Sequence, residues 1–247
     1  MEIKAVKFRR DGFYTQPFAF GGEEGIDKFD KNIRYRGSLQ NYLIDTGSEV
    51  ILVDTGIPSG TPEETPDENS MAFTGKDICT YMEAFAALGY KPEQVTKILL
   101  THRHADHSGE LRSFPNAKVY VNKDEMDAAE LQGLTNLVPV SYTDGPYYNF
   151  PECQKITDGV YLIKAKGHTK GNSIIVVERT TDCSTCFTEI SLTWTRHCTR
   201  TNCRWFMTTC QQPVRRWTEC VNSSVIIPRC IAAPTAPRAT RTWRPSV

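Results

Sequence analysis

The stretch His102-Arg103-His104-Ala105-Asp106-His107 places three imidazoles and one carboxylate within six residues. The apolar run before it, Val95–Thr101, is typical of a β-strand, and Ser108–Leu111 after it favours a helix start. Imidazole is a preferred ligand of zinc, and carboxylate is a harder ligand that helps to hold a second ion. Ligands on a strand-to-helix loop are fixed by rigid elements and remain open to substrate. The stretch therefore predicts a metal site rather than a solvated polar loop.

Two further segments carry motifs of the same kind. Asn41–Asp45 and Val50–Gly56 are apolar runs that predict a β-hairpin, with Asp54 in a turn after its second strand. Gly167–Ser173 is a second histidine motif, followed by an apolar strand. Together the three motifs resemble the signature of the metallo-β-lactamase superfamily over roughly residues 35–178.

This resemblance implies the fold. Members of that superfamily form an αββα sandwich, in which two β-sheets face each other, helices lie outside and metals lie at one edge. The sequence is compatible with this α/β architecture (of the α+β type), because strand and helix patterns alternate and no dinucleotide-binding glycine fingerprint occurs. The expected strands are the hairpin Leu43–Val53, turning at Gly47-Ser48, then Ala117–Val121, Val160–Ile163 and Ser173–Val177, and the expected helices are Asp77–Leu88 and Lys123–Leu131.

The resemblance also implies a ligand set for two divalent metal ions, expected to be Zn²⁺. His102, His104 and His168 would hold the first ion, and Asp106 and His107 would hold the second, with Asp106 also counted as catalytic. A bridging carboxylate and a final histidine complete the pair in the family. The chain as written offers neither of them.

The expected chemistry is hydrolysis by a hydroxide that the two ions share, because such ions lower the pKa of bound water and polarise a carbonyl. A serine nucleophile is not needed, and no Gly-x-Ser-x-Gly motif is present. Asp54 is expected either to orient a metal ligand or to fix the hairpin turn.

The layout resembles the N-acyl homoserine lactonase branch most closely, so a lactone is the expected small-molecule substrate. A glyoxalase II-like thioesterase is the alternative. That branch usually adds a C-terminal helical region with basic residues, and none is evident here. Residues 1–178 are acidic and carry no basic stripe, which argues against nucleic acid as a partner. Neither an apolar run of about 18 residues nor a signal-peptide core occurs, so we expect no membrane span and a cytoplasmic location. The sequence does not indicate the oligomeric state.

The zero net charge of the chain hides two unlike segments. Residues 1–178, the expected metallo-β-lactamase-like domain, carry a net charge of −7, and residues 179–247 carry +7. The second segment holds seven of the nine cysteines and all four tryptophans, but no glycine and a single leucine, Leu192. Such a composition lacks the usual means of making turns and a continuous buried face.

Three hypotheses account for this tail. A zinc module could use Cys183, Cys186, His197, Cys198 and Cys203, although the second pair lacks regular spacing. A basic tail with ten arginines could bind nucleic acid, but cysteine and threonine are too abundant for that class. We favour a shifted reading frame, in which residues 179–247 are not a native domain and are expected to be disordered.

The shifted frame restores family features in the expected order. Read from the third base of suitable synonymous codons, Arg179–Cys198 can encode D-D-G-L-F-Y-L-L-H-G-D-I-T-Y-L-D-E-A-L-Y. The bridging aspartate then spans the codons of Glu189/Ile190, and the final histidine spans those of Pro234/Thr235. A tyrosine that would contact the lactone spans Leu192/Thr193. If the tail is real protein as written, the chain is instead an inactive product with a partial metal site.

Overall fold

The computed structural model describes residues 1–20, 29–148, 150–166, 168–178 and 184–187. Within these residues the chain forms two β-sheets and a few short helices. The strands are β1 (Glu2–Thr15), β2 (Arg34–Asp45), β3 (Val50–Val53), β4 (Ala72–Phe73), β5 (Lys76–Asp77), β6 (Val95–Leu99), β7 (Lys118–Asn122), β8 (Leu137–Val140), β9 (Cys153–Thr157), β10 (Val160–Lys164), β11 (Ser173–Glu178) and β12 (Ser184–Phe187).

The first sheet has eight strands in the order β4-β1-β2-β3-β6-β7-β8, with β5 also paired to β1. β1, β2 and β3 are antiparallel neighbours, whereas β3, β6, β7 and β8 run parallel to one another. Since parallel strands end at the same edge of a sheet, the loops that follow β3, β6, β7 and β8 emerge side by side. The predicted hairpin is present, and Gly47 takes a positive φ of 88° in its turn.

The second sheet is antiparallel, in the order β12-β11-β10-β9. It faces the first sheet across a buried apolar layer. Ile44, Ile51 and Leu99 of the first sheet pack in this layer with Leu162 and Ile175 of the second. Alternation along β2 explains the arrangement, because Leu43 points to the opposite face and joins the other large core. The chain thus has the two facing sheets expected from its sequence.

The helices are short. They are α1 (Gln16–Phe20), α2 (Tyr81–Ala86) and α3 (Ala105–Ser108), with single 3₁₀ turns at Pro92–Gln94, Leu111–Ser113, Lys123–Glu125 and Ala129–Leu131. Of these, α2 packs on the face of the first sheet that is turned away from the second sheet. Tyr81 and Phe85 of α2 are fully buried there and both contact Phe114 edge to face.

Two predicted helices are shorter than expected. The first begins at Tyr81 rather than Asp77, because Thr80 caps it through a reciprocal pair of bonds with Glu83. Asp77 instead belongs to β5, and Ile78 is half exposed. The second, predicted over Lys123–Leu131, is replaced by two separate 3₁₀ turns.

No helix among the described residues is long and apolar enough to cross a membrane. Of the tail, 179–247, only the strand Ser184–Phe187 is described, and it pairs with β11. The expected disorder of the tail otherwise falls outside the described residues and stays a prediction.

Candidate metal centre

The candidate site lies at the edge of the first sheet where its parallel strands end. Asp54 follows β3 directly, and Thr101 and His102 lie just beyond the end of β6. The next loop, after β7, brings Glu125 to the same edge. Ser173, the first residue of β11, donates its backbone N–H to the Thr101 carbonyl over 2.8 Å, and this bond joins the second sheet to the site. Four loops that are distant in sequence therefore meet here.

Three histidines converge at this edge. The candidate ligand atoms of His102, His104 and His168 all lie within 4.8 Å of one another, and this is a cluster suited to a metal ion among the described residues. Nε2 of His102 and Nδ1 of His104 are 3.1 Å apart. Two nitrogens on one tetrahedral zinc ion are separated by about 3.3 Å, given bonds of about 2.0–2.1 Å. The donor set and its spacing therefore fit such an ion.

Asp106 and His107 form a second group beside these histidines. Nε2 of His107 is 3.4 Å from Oδ2 of Asp106, again a separation that two ligands of one ion can have. The His107 ring centroid is only 4.0 Å from that of His102, so the two groups adjoin. Asp106 lies in the first turn of α3, and its side chain is 40% exposed while that of His107 is buried.

A buried carboxylate connects the two groups. Oδ1 of Asp54 accepts the backbone N–H of Thr101 at 2.7 Å, and Oδ2 accepts the Thr101 hydroxyl at 2.7 Å. Oδ2 also lies 3.0 Å from Nδ1 of His107. Asp54 is fully buried and adopts a left-handed φ of 58°, which aspartate tolerates better than most residues. It bonds to His107 directly and to His102 through Thr101, and it also occupies the turn after β3.

These bonds decide where two imidazole protons sit. The single Thr101 hydroxyl hydrogen goes to Asp54, so the contact of 3.1 Å between that hydroxyl and Nδ1 of His102 requires a proton on the ring nitrogen. The contact between Asp54 and Nδ1 of His107 likewise favours a proton on that nitrogen. Both rings then present an unprotonated Nε2, the form that ligates a metal.

Burial favours the neutral forms of His102 and His104. Burial, together with the neighbouring imidazoles and Arg103, lowers the pKa of His102 well below its usual range. Burial also lowers the pKa of His104. Burial acts to raise the pKa of Asp106, but His107, a backbone hydrogen bond and His104 together outweigh that effect, and the pKa is lowered. Neutral imidazoles and an ionised carboxylate are what a divalent cation requires.

Two buried oxygens without partners lie in the segment that follows His168. Within the described part of the chain, the Thr169 hydroxyl and Oδ1 of Asn172 are buried and have no hydrogen-bond partner. Buried polar atoms are normally satisfied by protein, water or an ion. These oxygens are consistent with a polar site whose remaining contacts come from solvent or a bound group.

The structure brings together all five predicted ligands. Asp54 bonds to His107 directly and to His102 through Thr101. Two residues of the site were not anticipated from the sequence: Thr101, which links Asp54 to His102, and Glu125, which accepts backbone N–H groups from both histidine loops. The position of Thr101 just before the histidine cluster was the available signal. The candidate tail ligands Cys183, Cys186, His197, Cys198 and Cys203 lie outside the side chains that the structure describes.

Comparison with known proteins agrees with this geometry. Residues 36–128 match the model of the metallo-beta-lactamase superfamily. An N-acyl homoserine lactonase of Bacillus cereus is 30% identical over 153 residues, which are 56% of this chain and 57% of that protein. A second N-acyl homoserine lactonase, from Agrobacterium fabrum, is 28% identical over 93 residues, 36% of this chain and 34% of its own. This chain thus spans somewhat more than half the length of the Bacillus relative.

A solved structure gives the fold-level comparison. It is an N-acyl homoserine lactone hydrolase with the product N-hexanoyl-L-homoserine bound at its catalytic metal centre. It matches with a TM-score of 0.59 and 18% identity, over 75% of this chain and 74% of that one. The likeness confirms the expected sandwich architecture.

Proposed function

We propose that this chain is a metal-dependent hydrolase of the metallo-β-lactamase superfamily, whose model matches residues 36–128. The observation that carries the proposal is the convergence of His102, His104 and His168, whose ligand atoms lie within 4.8 Å of one another. These histidines come from two loops more than 60 residues apart, and core packing alone does not call for three adjacent imidazoles.

We assign the three histidines to one ion, proposed to be zinc, and Asp106 with His107 to a second. When bound, such ions supply a Lewis acid that polarises the substrate carbonyl and lowers the pKa of water. The chain itself contributes orientation. Asp54 and Thr101 hold the protons of His102 and His107 on Nδ1, so that both Nε2 atoms face the site. Asp106 keeps its proposed double role of ligand and catalytic group.

The proposed substrate is a small-molecule lactone of the N-acyl homoserine class, which implies a quorum-quenching role. Two relatives, from Bacillus cereus and Agrobacterium fabrum, are described as N-acyl homoserine lactonases. The acidic net charge of residues 1–178 supports an uncharged substrate over a polyphosphate or nucleic acid. A cytoplasmic location remains part of the same proposal.

We further propose that residues 179–247 are translated from a shifted frame. The ligands that complete the site in the family, a bridging aspartate and a final histidine, are missing from the frame as written and recoverable in the other. On this proposal the chain with residues 179–247 as written (the literal chain) binds metal through its five ligands and hydrolyses little substrate. The nucleotide sequence around codons 177–180 tests it, since an inserted or deleted base is expected there.

The functional test compares the literal chain, a frame-restored chain and its His104→Ala variant. Each is assayed on a panel of N-acyl homoserine lactones and on glutathione thioesters, with and without EDTA. We expect lactone opening by the frame-restored chain, loss of this activity with EDTA, and none in His104→Ala. Cleavage of thioesters alone would replace the lactonase proposal by a thioesterase. Activity that survives both EDTA and His104→Ala would refute the metal-dependent hydrolase.

A further inference from the structure

One carboxylate ties the two histidine loops together. Glu125 is 2% exposed and ends the 3₁₀ turn after β7. Its Oε2 accepts the backbone N–H of Arg103 over 3.2 Å, and its Oε1 accepts the backbone N–H of Gly171 over 2.6 Å. Arg103 lies between His102 and His104, whereas Gly171 lies three residues after His168. Each Glu125 oxygen therefore holds a different loop of the candidate metal centre.

Glu125 can approach the second loop this closely only because residue 171 is a glycine. A Cβ atom added at Gly171 would lie 2.4 Å from Cγ of Glu125, 2.8 Å from Oε1 and 3.0 Å from Cδ. Real Cβ atoms essentially never show contacts this short. A side chain at position 171 would thus push the carboxylate away from the loop, or the loop away from the carboxylate.

The charge of Glu125 is compensated on the side of the first loop. Nε of Arg103 lies 3.5 Å from Oε2 of Glu125, and Nη1 of the same guanidinium lies 3.4 Å from Glu130. A buried carboxylate that accepts two backbone N–H groups and pairs with arginine is held in one position. Among the described hydrogen bonds, Glu130 bonds only to the Arg103 side chain. It therefore takes part in the ion pair but does not bond to the backbone of either histidine loop.

We propose that Glu125 is a positioning residue, which sets the separation between the loop of His102 and His104 and the loop of His168. The inference rests on the metal site of the proposed function. Removing a group that orients a metal ligand typically lowers the metal affinity by roughly 10- to 100-fold. Glu125 acts on the ligand backbones rather than on the imidazoles, and the predicted consequence is the same, because His168 no longer lies at a fixed distance from its partners.

The experiment titrates the purified full-length chain, kept reduced, with Co²⁺ and follows the visible d–d absorption band. His104→Ala gives the baseline for metal held elsewhere, including by tail cysteines. Glu125→Gln keeps the size of the side chain but replaces one acceptor oxygen by an NH₂ group, which cannot accept a backbone N–H. We expect this variant to bind Co²⁺ roughly tenfold or more weakly. Glu130→Gln is the matched control, and we expect it to bind with unchanged affinity.

A double-mutant cycle separates positioning from general destabilisation. Glu125→Ala removes all three atoms that a Cβ at position 171 would strike. Gly171→Ala alone should therefore weaken Co²⁺ binding, but it should add little further loss in the Glu125→Ala background. Additive losses would overturn the contact on which the proposal rests.

The outcomes for the two proposals are distinct. Unchanged Co²⁺ affinity in Glu125→Gln overturns the positioning role, and so does a drop in the melting temperature of the metal-free protein without a change in affinity. Equal binding by the wild-type chain and His104→Ala would instead overturn the metal site itself, and the proposed function with it.

Discussion

Oδ2 of Asp54 lies 3.0 Å from Nδ1 of His107, although the two residues are 53 positions apart in the chain. The backbones around them are joined as well. Thr55 donates its N–H to the His107 carbonyl over 2.7 Å, and Gly109 donates to the Gly56 carbonyl over 2.9 Å. The turn after β3 thereby fixes both the position of His107 and the ring nitrogen that carries its proton.

Asp54→Asn is expected to weaken metal binding by on the order of 10- to 100-fold. Asparagine keeps the shape and tolerates the left-handed backbone, and the Thr101 N–H holds its oxygen, so its NH₂ group faces His107 and cannot accept a hydrogen bond. His107 should then carry its proton on Nε2, the nitrogen that faces Asp106. Long-range ¹H–¹⁵N spectra of the imidazoles and Co²⁺ titration measure the two effects. An unchanged His107 tautomer would contradict the role assigned to Asp54.

Thr101→Val should weaken Co²⁺ binding by roughly tenfold, since it removes the hydroxyl between Asp54 and His102 at nearly constant volume. Thr96→Val, near the start of β6, is the matched control. Its hydroxyl donates to the Val50 carbonyl over 3.2 Å, away from the histidines, and its loss should leave Co²⁺ affinity unchanged. Equal losses in both variants would show that the Thr101 hydroxyl has no special part in the site.

Gly109→Ala is expected to destabilise the fold by about 1–3 kcal/mol, the typical cost of forcing extra atoms into a packed region. The new Cβ would lie 2.2 Å from the Pro58 nitrogen and 2.3 Å from the Ile57 carbonyl carbon, and backbone atoms cannot rotate away. Thermal unfolding, followed by circular dichroism, should show a melting temperature lower by several degrees. A melting temperature equal to that of the wild type would mean that the two segments lie farther apart than described.

Tyr90→Phe should destabilise the protein at pH 6, and this effect should shrink as the pH falls below 3.8. The Tyr90 hydroxyl donates to Oδ2 of Asp45 over 2.7 Å and is the largest cause that lowers the pKa of this carboxyl. A lowered pKa adds stability above the ordinary value of 3.8, and this stability is lost as the pH falls through the folded-state pKa. Phenylalanine retains the ring contact with Lys4, so melting curves against pH isolate the hydroxyl. A difference that is constant with pH would argue against this linkage.

Several features could be predicted from local sequence because their signals are local. The hairpin around Gly47 follows from alternating apolar runs with a glycine turn between them. His102, His104, Asp106 and His107 lie within six residues, so their proximity is guaranteed by chain connectivity. The sequence predicts that the helix begins at Asp77, because the apolar periodicity continues on the N-terminal side of Tyr81. Only the cap formed by Thr80 defines the observed start.

The sequence by itself determined the two histidine motifs, the β-hairpin and the sandwich class, since each depends on residue types at short and regular spacing. Only the tertiary structure decided that His168 joins His102, that Thr101 sets a tautomer, and that Glu125 bridges both loops. These relations depend on parallel strands that end at one edge of a sheet and on a second sheet packed against it. Contacts of that kind arise from packing between distant segments, and short-range patterns carry no signal for them.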